Sequence, residues 1–260
     1  MELAPFRKEP KVTGIPTEGL FLLIGDTKCG KTTFAASFPD SIVIEMERGR
    51  ADRLPNARVQ EVNDLLEFGE VMEEVMKHDE IKTVVIDSID QLAQWINEDI
   101  AKAAGIPFLG KVQKGVDNMS LWGDFGVNVR AMTDYWKESG KLFIVIAHRR
   151  IAQIDREGVV TKPAGINVSG QGGNYVPAQA EMVGFMGVRV LGGKTQHYLT
   201  FRGESDRAIW RSGIKELHDK EIIITEQDPY GCFAAVFNKP SAPRPAVTLA
   251  APVKKGGVKK

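Results

Sequence analysis

An α/β fold is what this 260-residue sequence predicts, with a mostly parallel central sheet flanked by helices and antiparallel strands toward the C-terminal part. Three observations carry the prediction. The run Gly25-Asp26-Thr27-Lys28-Cys29-Gly30-Lys31-Thr32 satisfies G-x-x-x-x-G-K-[ST] at every fixed position and directly follows the apolar segment 20–24. Short β-branched runs then alternate with segments of helical periodicity at crossover-sized spacings, the pattern of a parallel sheet covered on both faces. Finally, the segments 188–191 and 196–201 flank Gly192-Gly193 and read as a hairpin.

Taken in order, residues 1–18 are polar with Pro5, Pro10 and Pro16, and read as an arm leading into a first strand at 19–24. Thr32 to Phe38 opens a helix behind the glycine-rich run, Pro39-Asp40 breaks it, and 41–45 supplies a second strand. Val62, Leu65, Leu66, Phe68, Val71, Met72, Val75 and Met76 recur at helical spacing, with Glu67, Glu70, Glu73 and Glu74 filling the outer face. A strand at 82–87 ends in Asp87 and leads to a helix at 90–103. A further helix at 121–139 runs through Gly140 into a strand at 141–147. The stretch 149–175 is long and glycine-containing, with an apparent helix near Ala178 beyond it. The domain is expected to span 19–238.

Composition narrows the function classes. With 43% hydrophobic and 26% charged residues the chain is an ordinary globular one, with a core for a single domain. No apolar run approaches a membrane span, and the first residues lack the apolar core of a signal peptide, so a cytoplasmic protein without membrane contact is expected. Cys29 and Cys232 are too few for a disulfide framework or a cysteine-rich zinc site. The formal net charge is zero but uneven, since residues 239–260 carry six basic side chains and no acid. That tail is rich in proline, alanine and glycine and is expected to be disordered. Its basic residues suit either solubility or contact with a polyanion.

The glycine-rich run names a ligand, a nucleoside triphosphate with magnesium. Glycines let backbone N–H groups turn toward phosphates, Lys31 reaches the β and γ oxygens, and the Thr32 hydroxyl ligates the metal. The cofactors expected are therefore ATP and Mg2+, with Gly25, Asp26, Thr27, Lys28, Cys29, Gly30, Lys31, Thr32 and Thr33 forming the nucleotide cradle. Asp87, closing an apolar strand and followed by Ser88, has the setting of an acid that holds magnesium opposite Thr32. Hydrolysis also needs a carboxylate to activate water, and Glu45 and Glu47 stand where the second strand leaves the sheet. That strand is expected to neighbour the first, so that both open onto one crevice.

GDTKCGKTT, IVIEMERG, TVVIDSIDQL and LFIVIAHRR, in this order and spacing, resemble the RecA-like recombinase core over about residues 15–215. The resemblance does not extend to the larger C-terminal domain of RecA itself, and the chain looks like the core-only RecA-like proteins of bacteriophages: annealing recombinases and proteins described as phage nucleotide-binding or AAA-family ATPases. The resemblance implies that Glu47, two residues beyond the acid closing the second strand, is the catalytic base. It implies that His148 senses the γ-phosphate, where RecA has glutamine, and that the segment after it is a mobile DNA-binding loop. Gly170, Gly172, Gly173 and Asn174 echo the Gly-Gly-Asn that closes such a loop.

On this basis Arg149, Arg150, Arg156 and Lys162 are candidates to track phosphates, and Tyr175 to stack on a base. The alternative is an exposed hairpin, 153–161, turning at Glu157-Gly158. The resemblance further implies a homo-oligomer, ring or filament, in which a neighbour supplies an arginine to the γ-phosphate. Arg207 is the first candidate, with Arg202 and Arg211. The implied activity is DNA-stimulated ATP hydrolysis in recombination, annealing or repair, with single-stranded DNA and a single-strand-binding protein as partners and the host cytoplasm as location if phage-encoded. Two other functions share the loop: a phosphotransferase acting on a small molecule, and a nucleotide-gated scaffold without significant hydrolysis.

Overall fold

A computed structural model describes residues 14–47, 54, 57–162, 164–170, 172–203 and 210–238. The tail 239–260, most of the arm and Arg207 lie outside the described residues.

The sheet begins with β1 (Gly19–Gly25), whose Leu20 to Ile24 have no solvent exposure. Side chains alternate between faces along a strand, so a run apolar at every position demands cover on both sides. Leu20, Leu22 and Ile24 enter one core cluster, and Phe21 and Leu23 the other. The strands β2 (Ser41–Glu45), β4 (Thr83–Asp87) and β5 (Leu142–Arg150) are buried in the same way over most of their length. Each fully buried Leu, Ile, Val or Phe contributes about 1.5–3 kcal/mol of apolar burial, which makes this block the chief source of stability.

The remaining strands are β3 (Arg58–Glu61), β8 (Gly165–Ile166), β9 (Met182–Leu191), β10 (Lys194–Thr200) and β11 (Glu221–Ile224). Their order is β11-β10-β9-β1-β5-β4-β2-β3, with β8 paired to the end of β5. All pairs from β9 to β3 are parallel, while β9, β10 and β11 pair antiparallel with one another. A small separate ribbon joins β6 (Gln153–Ile154) to β7 (Val160–Lys162).

One expectation needs correction here. The second strand is not beside the first, because β5 and β4 lie between β1 and β2. The phosphate-loop strand pairs with β5 and β9 instead. The carboxyl ends still share one edge of the sheet, so Glu45 sits in register with Asp87 and Gly25 with His148.

Helices cover the faces unequally. The short α1 (Lys31–Ala36) and α6 (Pro229–Ala234) cover one side, where Phe34 and Phe38 pack edge-on to each other and Phe233 joins both. On the other side lie α2 (Leu65–Met76), α3 (Ile89–Ala103), α4 (Asn118–Glu138) and α5 (Gly172–Gln179). Asp64 caps α2 by accepting from the Glu67 N–H at 2.9 Å, and Asp117 caps α4 through the Met119 N–H at 3.0 Å. On α2 the buried stripe is Phe68, Met72 and Val75. Leu66, expected in that stripe, is exposed, because it lies one position off the 3.6-residue period.

The hairpin turns at Gly192-Gly193, both with positive φ (57° and 75°), as a tight two-residue turn requires. Its first strand starts at Met182, earlier than the sequence pattern suggests. Gly184 and Gly187 interrupt the apolar run there because a Cβ on either would press against Leu199 or Tyr198 of β10, at 2.8 and 2.6 Å. The edge strand β3 carries Arg58-Val59-Gln60-Glu61, all exposed, and offers no apolar alternation to read.

Candidate nucleotide site

The phosphate loop leaves β1 at Gly25, the only residue type that fits there, since a Cβ would collide with the Met186 carbonyl and lie 2.8 Å from Cys29 Sγ. Asp26, Thr27 and Lys28 are exposed, with Lys28 in the left-handed region (φ 63°). Gly30 follows at φ 96° and turns the chain into α1. Lys31 is buried under the loop and donates to the carbonyls of Gly25 (3.1 Å) and Asp26 (2.8 Å). A lysine held by the loop's own carbonyls keeps its ammonium group inside the curl that the motif builds for phosphate. Burial pushes the Cys29 thiol above its ordinary value, with the Lys31 charge partly opposing, so Cys29 behaves as a small inert filler. Thr33 is exposed on the first turn of α1.

The candidate magnesium corner forms across the sheet. Thr32 Oγ1 donates to Asp87 Oδ2 at 2.6 Å, joining the loop to the end of β4 although 55 residues separate them. A hydroxyl and a buried carboxylate converging at this distance are a donor set of hard oxygens, the chemistry magnesium takes. Asp87 is joined to Ser88 by a cis peptide bond, for which the sequence offers no signal. Beside it, Ser88 Oγ donates to Glu47 Oε1 at 3.3 Å, so Glu47 reaches this corner through the end of β4 rather than from a strand next to β1. Glu45 is buried at the end of β2.

His148 stands between β1 and β4 at the end of the buried part of β5, in register with Gly25. Asp90, on the first turn of α3, holds it from both ends: its Oδ2 accepts from the His148 backbone N–H at 2.8 Å and lies 3.3 Å from Nδ1. Asp90 Oδ1 is buried and has no hydrogen-bond partner among the described residues. Sequence reasoning missed Asp90, although an acid three residues beyond Asp87 at a helix start was the available signal. His197 was missed too. Its Nδ1 contacts the Cys29 carbonyl at 2.9 Å across 168 residues of chain, and no local pattern announces that.

The basic residues beyond His148 are brought elsewhere. The Arg149 guanidinium lies over the rings of Phe185 (5.3 Å) and Trp210 (5.8 Å), and Arg150 donates to the Val168 carbonyl at 3.3 Å. Tyr175 donates its hydroxyl to Asp134 at 2.7 Å, and this bond raises the phenol above its ordinary value. Gly172, Gly173 and Asn174 open α5, at the end of the segment that follows β5. Arg156 is exposed at the tip of the β6–β7 ribbon, between Asp155 and Gly158, so the hairpin expected at Glu157-Gly158 is formed. Lys162 ends β7. Arg202 donates to the Asp219 carbonyl at 2.6 Å, and the Arg211 carbonyl accepts from the Val183 N–H.

No helix among the described residues is long and apolar enough to cross a membrane. Comparison with curated proteins gives no match. Among solved structures, a KaiC-like protein of the hyperthermophilic archaeon Pyrococcus horikoshii OT3 aligns at a TM-score of 0.42 and 16% identity, over 80% of this chain and 85% of that one. The flagellar accessory protein FlaH of Methanocaldococcus jannaschii aligns at 0.41 and 12%, over 81% and 86%. The family model described as AAA domain matches residues 19–207, which takes in the phosphate loop, Asp87 and β5. The chain therefore belongs to this AAA-domain family, AAA_24, as a nucleotide-binding P-loop ATPase-like domain.

Proposed function

We propose that the chain is a magnesium-dependent ATPase that binds single-stranded DNA and acts in recombination, annealing or repair as a homo-oligomer. The observation that carries the enzymatic part is the 2.6 Å contact of Thr32 with Asp87, with Glu47 held next to it by Ser88. Magnesium, when bound, draws charge from the phosphate oxygens. Thr32 and Asp87 are the residues to hold it, Lys31 exchanges loop carbonyls for phosphate oxygens, and Glu47 takes the proton of the attacking water. His148, tethered by Asp90, is poised to report the γ-phosphate along β5.

Support for a polymer partner comes from the chain beyond β5. The exposed ribbon of β6 and β7 begins after two residues beyond the end of β5 and carries Arg156, with Ile151 and Val159 also exposed. Arg149, Arg150 and Tyr175 have internal partners, so DNA contact on this reading concentrates at the ribbon. An oligomer in which Arg207 of a neighbour meets the phosphates, and the assistance of a single-strand-binding protein, belong to the same proposal.

The test is steady-state ATP hydrolysis with and without single-stranded DNA for wild type, Glu47→Gln and Arg156→Ala. The expected result is DNA-stimulated turnover, abolished in Glu47→Gln and less stimulated in Arg156→Ala. Brisk hydrolysis indifferent to DNA would reject the recombination role, and turnover unchanged in Glu47→Gln would remove Glu47 as the base.

A further inference from the structure

The phosphate loop is supported from below by a residue outside its motif. His197 lies on β10, opposite Val188 of β9 and Ile224 of β11, so its backbone is held by a strand on each side. Its ring reaches the loop, with Nδ1 at 2.9 Å from the carbonyl oxygen of Cys29. A carbonyl only accepts, so Nδ1 carries the proton and donates. The ring also lies against Gly30, where a Cβ would stand 3.4 Å from Nδ1 and 3.1 Å from Met186 Cε.

We propose that His197 is a positioning residue for nucleotide binding: by fixing the Cys29 carbonyl on the sheet side of the loop, it aims the Gly30 N–H at the phosphates. The argument is geometric. The Cys29–Gly30 peptide is trans, and the C=O and N–H of a trans peptide point in opposite directions. Anchoring one therefore orients the other. The anchor matters at this peptide because Gly30, at φ 96°, has no Cβ to resist a flip of the plane. A flipped plane would present a carbonyl oxygen to an anion in place of a donor. The motif supplies the glycine that makes the turn possible, and β10 supplies the rigidity that the glycine gives up. The contact is available in the neutral ring with its proton on Nδ1 and equally in the imidazolium.

This inference rests on the loop being a triphosphate site, and the experiment separates the two. Dissociation constants for ATP and ADP are measured by calorimetry for wild type, His197→Leu, His197→Asn, His197→Gln and Lys31→Ala, with melting temperatures of the nucleotide-free proteins alongside. Asparagine places an amide donor where Nδ1 stands, and glutamine places it where Nε2 stands. The expected result is binding weakened about five- to tenfold in His197→Leu and His197→Gln, the effect of one neutral hydrogen bond, and restored to within about twofold in His197→Asn. A merely structural role would instead track melting temperature and would not distinguish Asn from Gln. Equal affinities for the Asn and Gln variants overturn the proposal, and that comparison stands even if the leucine variant fails to fold. Binding by Lys31→Ala as tight as wild type would reject the nucleotide site itself, and this inference with it.

Discussion

The carboxyl edge of the parallel strands and the segment 149–175 that continues from β5 are both rich in glycine and charge, yet the fold uses their polar groups in opposite ways. At the strand edge the polar side chains turn toward one another, Thr32 to Asp87 and Ser88 to Glu47, beside a loop whose Asp26, Thr27 and Lys28 are exposed. In the later segment, outside the exposed ribbon that carries Arg156, three of them turn inward. Arg149 stacks on Phe185 and Trp210, Arg150 meets the Val168 carbonyl, and Tyr175 is bonded to Asp134 on α4. A long cationic side chain can serve packing through its stem and its flat guanidinium, so a pair of arginines at the end of β5 does not by itself make a phosphate track.

The comparison breaks most decisively at Lys31. Lys31→Ala removes the one ammonium group buried in the loop and is expected to lower ATP turnover by about a hundredfold or more, with little change in fold stability. Calorimetric nucleotide titration and a phosphate-release assay measure it, and retained turnover would mean that the strand edge is not the chemical site. The corresponding change in the other region has the opposite signature. Arg149→Ala is expected to cost about 2 kcal/mol of stability through lost ring contact and stem packing, visible as a lower urea midpoint. Nucleotide affinity should stay near wild type. If instead it is DNA affinity that falls, at an unchanged midpoint, Arg149 belongs with the functional cations after all.

Cysteine chemistry sharpens the contrast within the strand edge. Cys29 is buried and its thiol is raised above the ordinary value by burial, whereas Cys232 is half-buried near Thr225. Iodoacetamide at neutral pH should therefore modify Cys232 first, by mass spectrometry of the digested protein, and leave Cys29 largely intact. Lys31→Ala deletes the charge that partly offsets burial, so it should slow Cys29 modification further. Rapid alkylation of Cys29 in wild type would show that the loop opens far more than its packing suggests.

How far the sequence reveals each region follows from the range of the interactions. The phosphate loop is legible because its function depends on consecutive backbone geometry, and consecutive residues are what a motif records. Asp87 is legible because a strand end places its last side chain at the sheet edge. The position of β2 was not, since a crossover leaves no mark in the strand it carries, and Glu47 reaches the corner by a route other than the one expected. His197 and Asp90 act across 168 and 58 residues of chain, and the partners of Arg149 come from β9 and from Trp210. For such side chains the residue type is visible in the sequence, but which way it turns is a tertiary fact.

Tyr175 gives the smallest effect and tests the later segment most directly. Its hydroxyl donates to Asp134 Oδ1, and that bond, followed by burial and the carboxylate's charge, raises the phenol above the usual tyrosine range. A raised acid in the folded state means that its stabilisation is complete below the ordinary tyrosine pKa and is lost as pH rises through the folded value. Ultraviolet titration should thus show Tyr175 ionising late, and Asp134→Asn should lower its ionisation toward the ordinary tyrosine range. Tyr175→Phe should lower the melting temperature only slightly and leave single-stranded DNA affinity unchanged, because a ring whose hydroxyl is tied to α4 is not waiting for a base. A large loss of DNA affinity on removing that hydroxyl would mean that the bond to Asp134 breaks when DNA arrives, and would move Tyr175 from the packing of α4 and α5 to the binding surface.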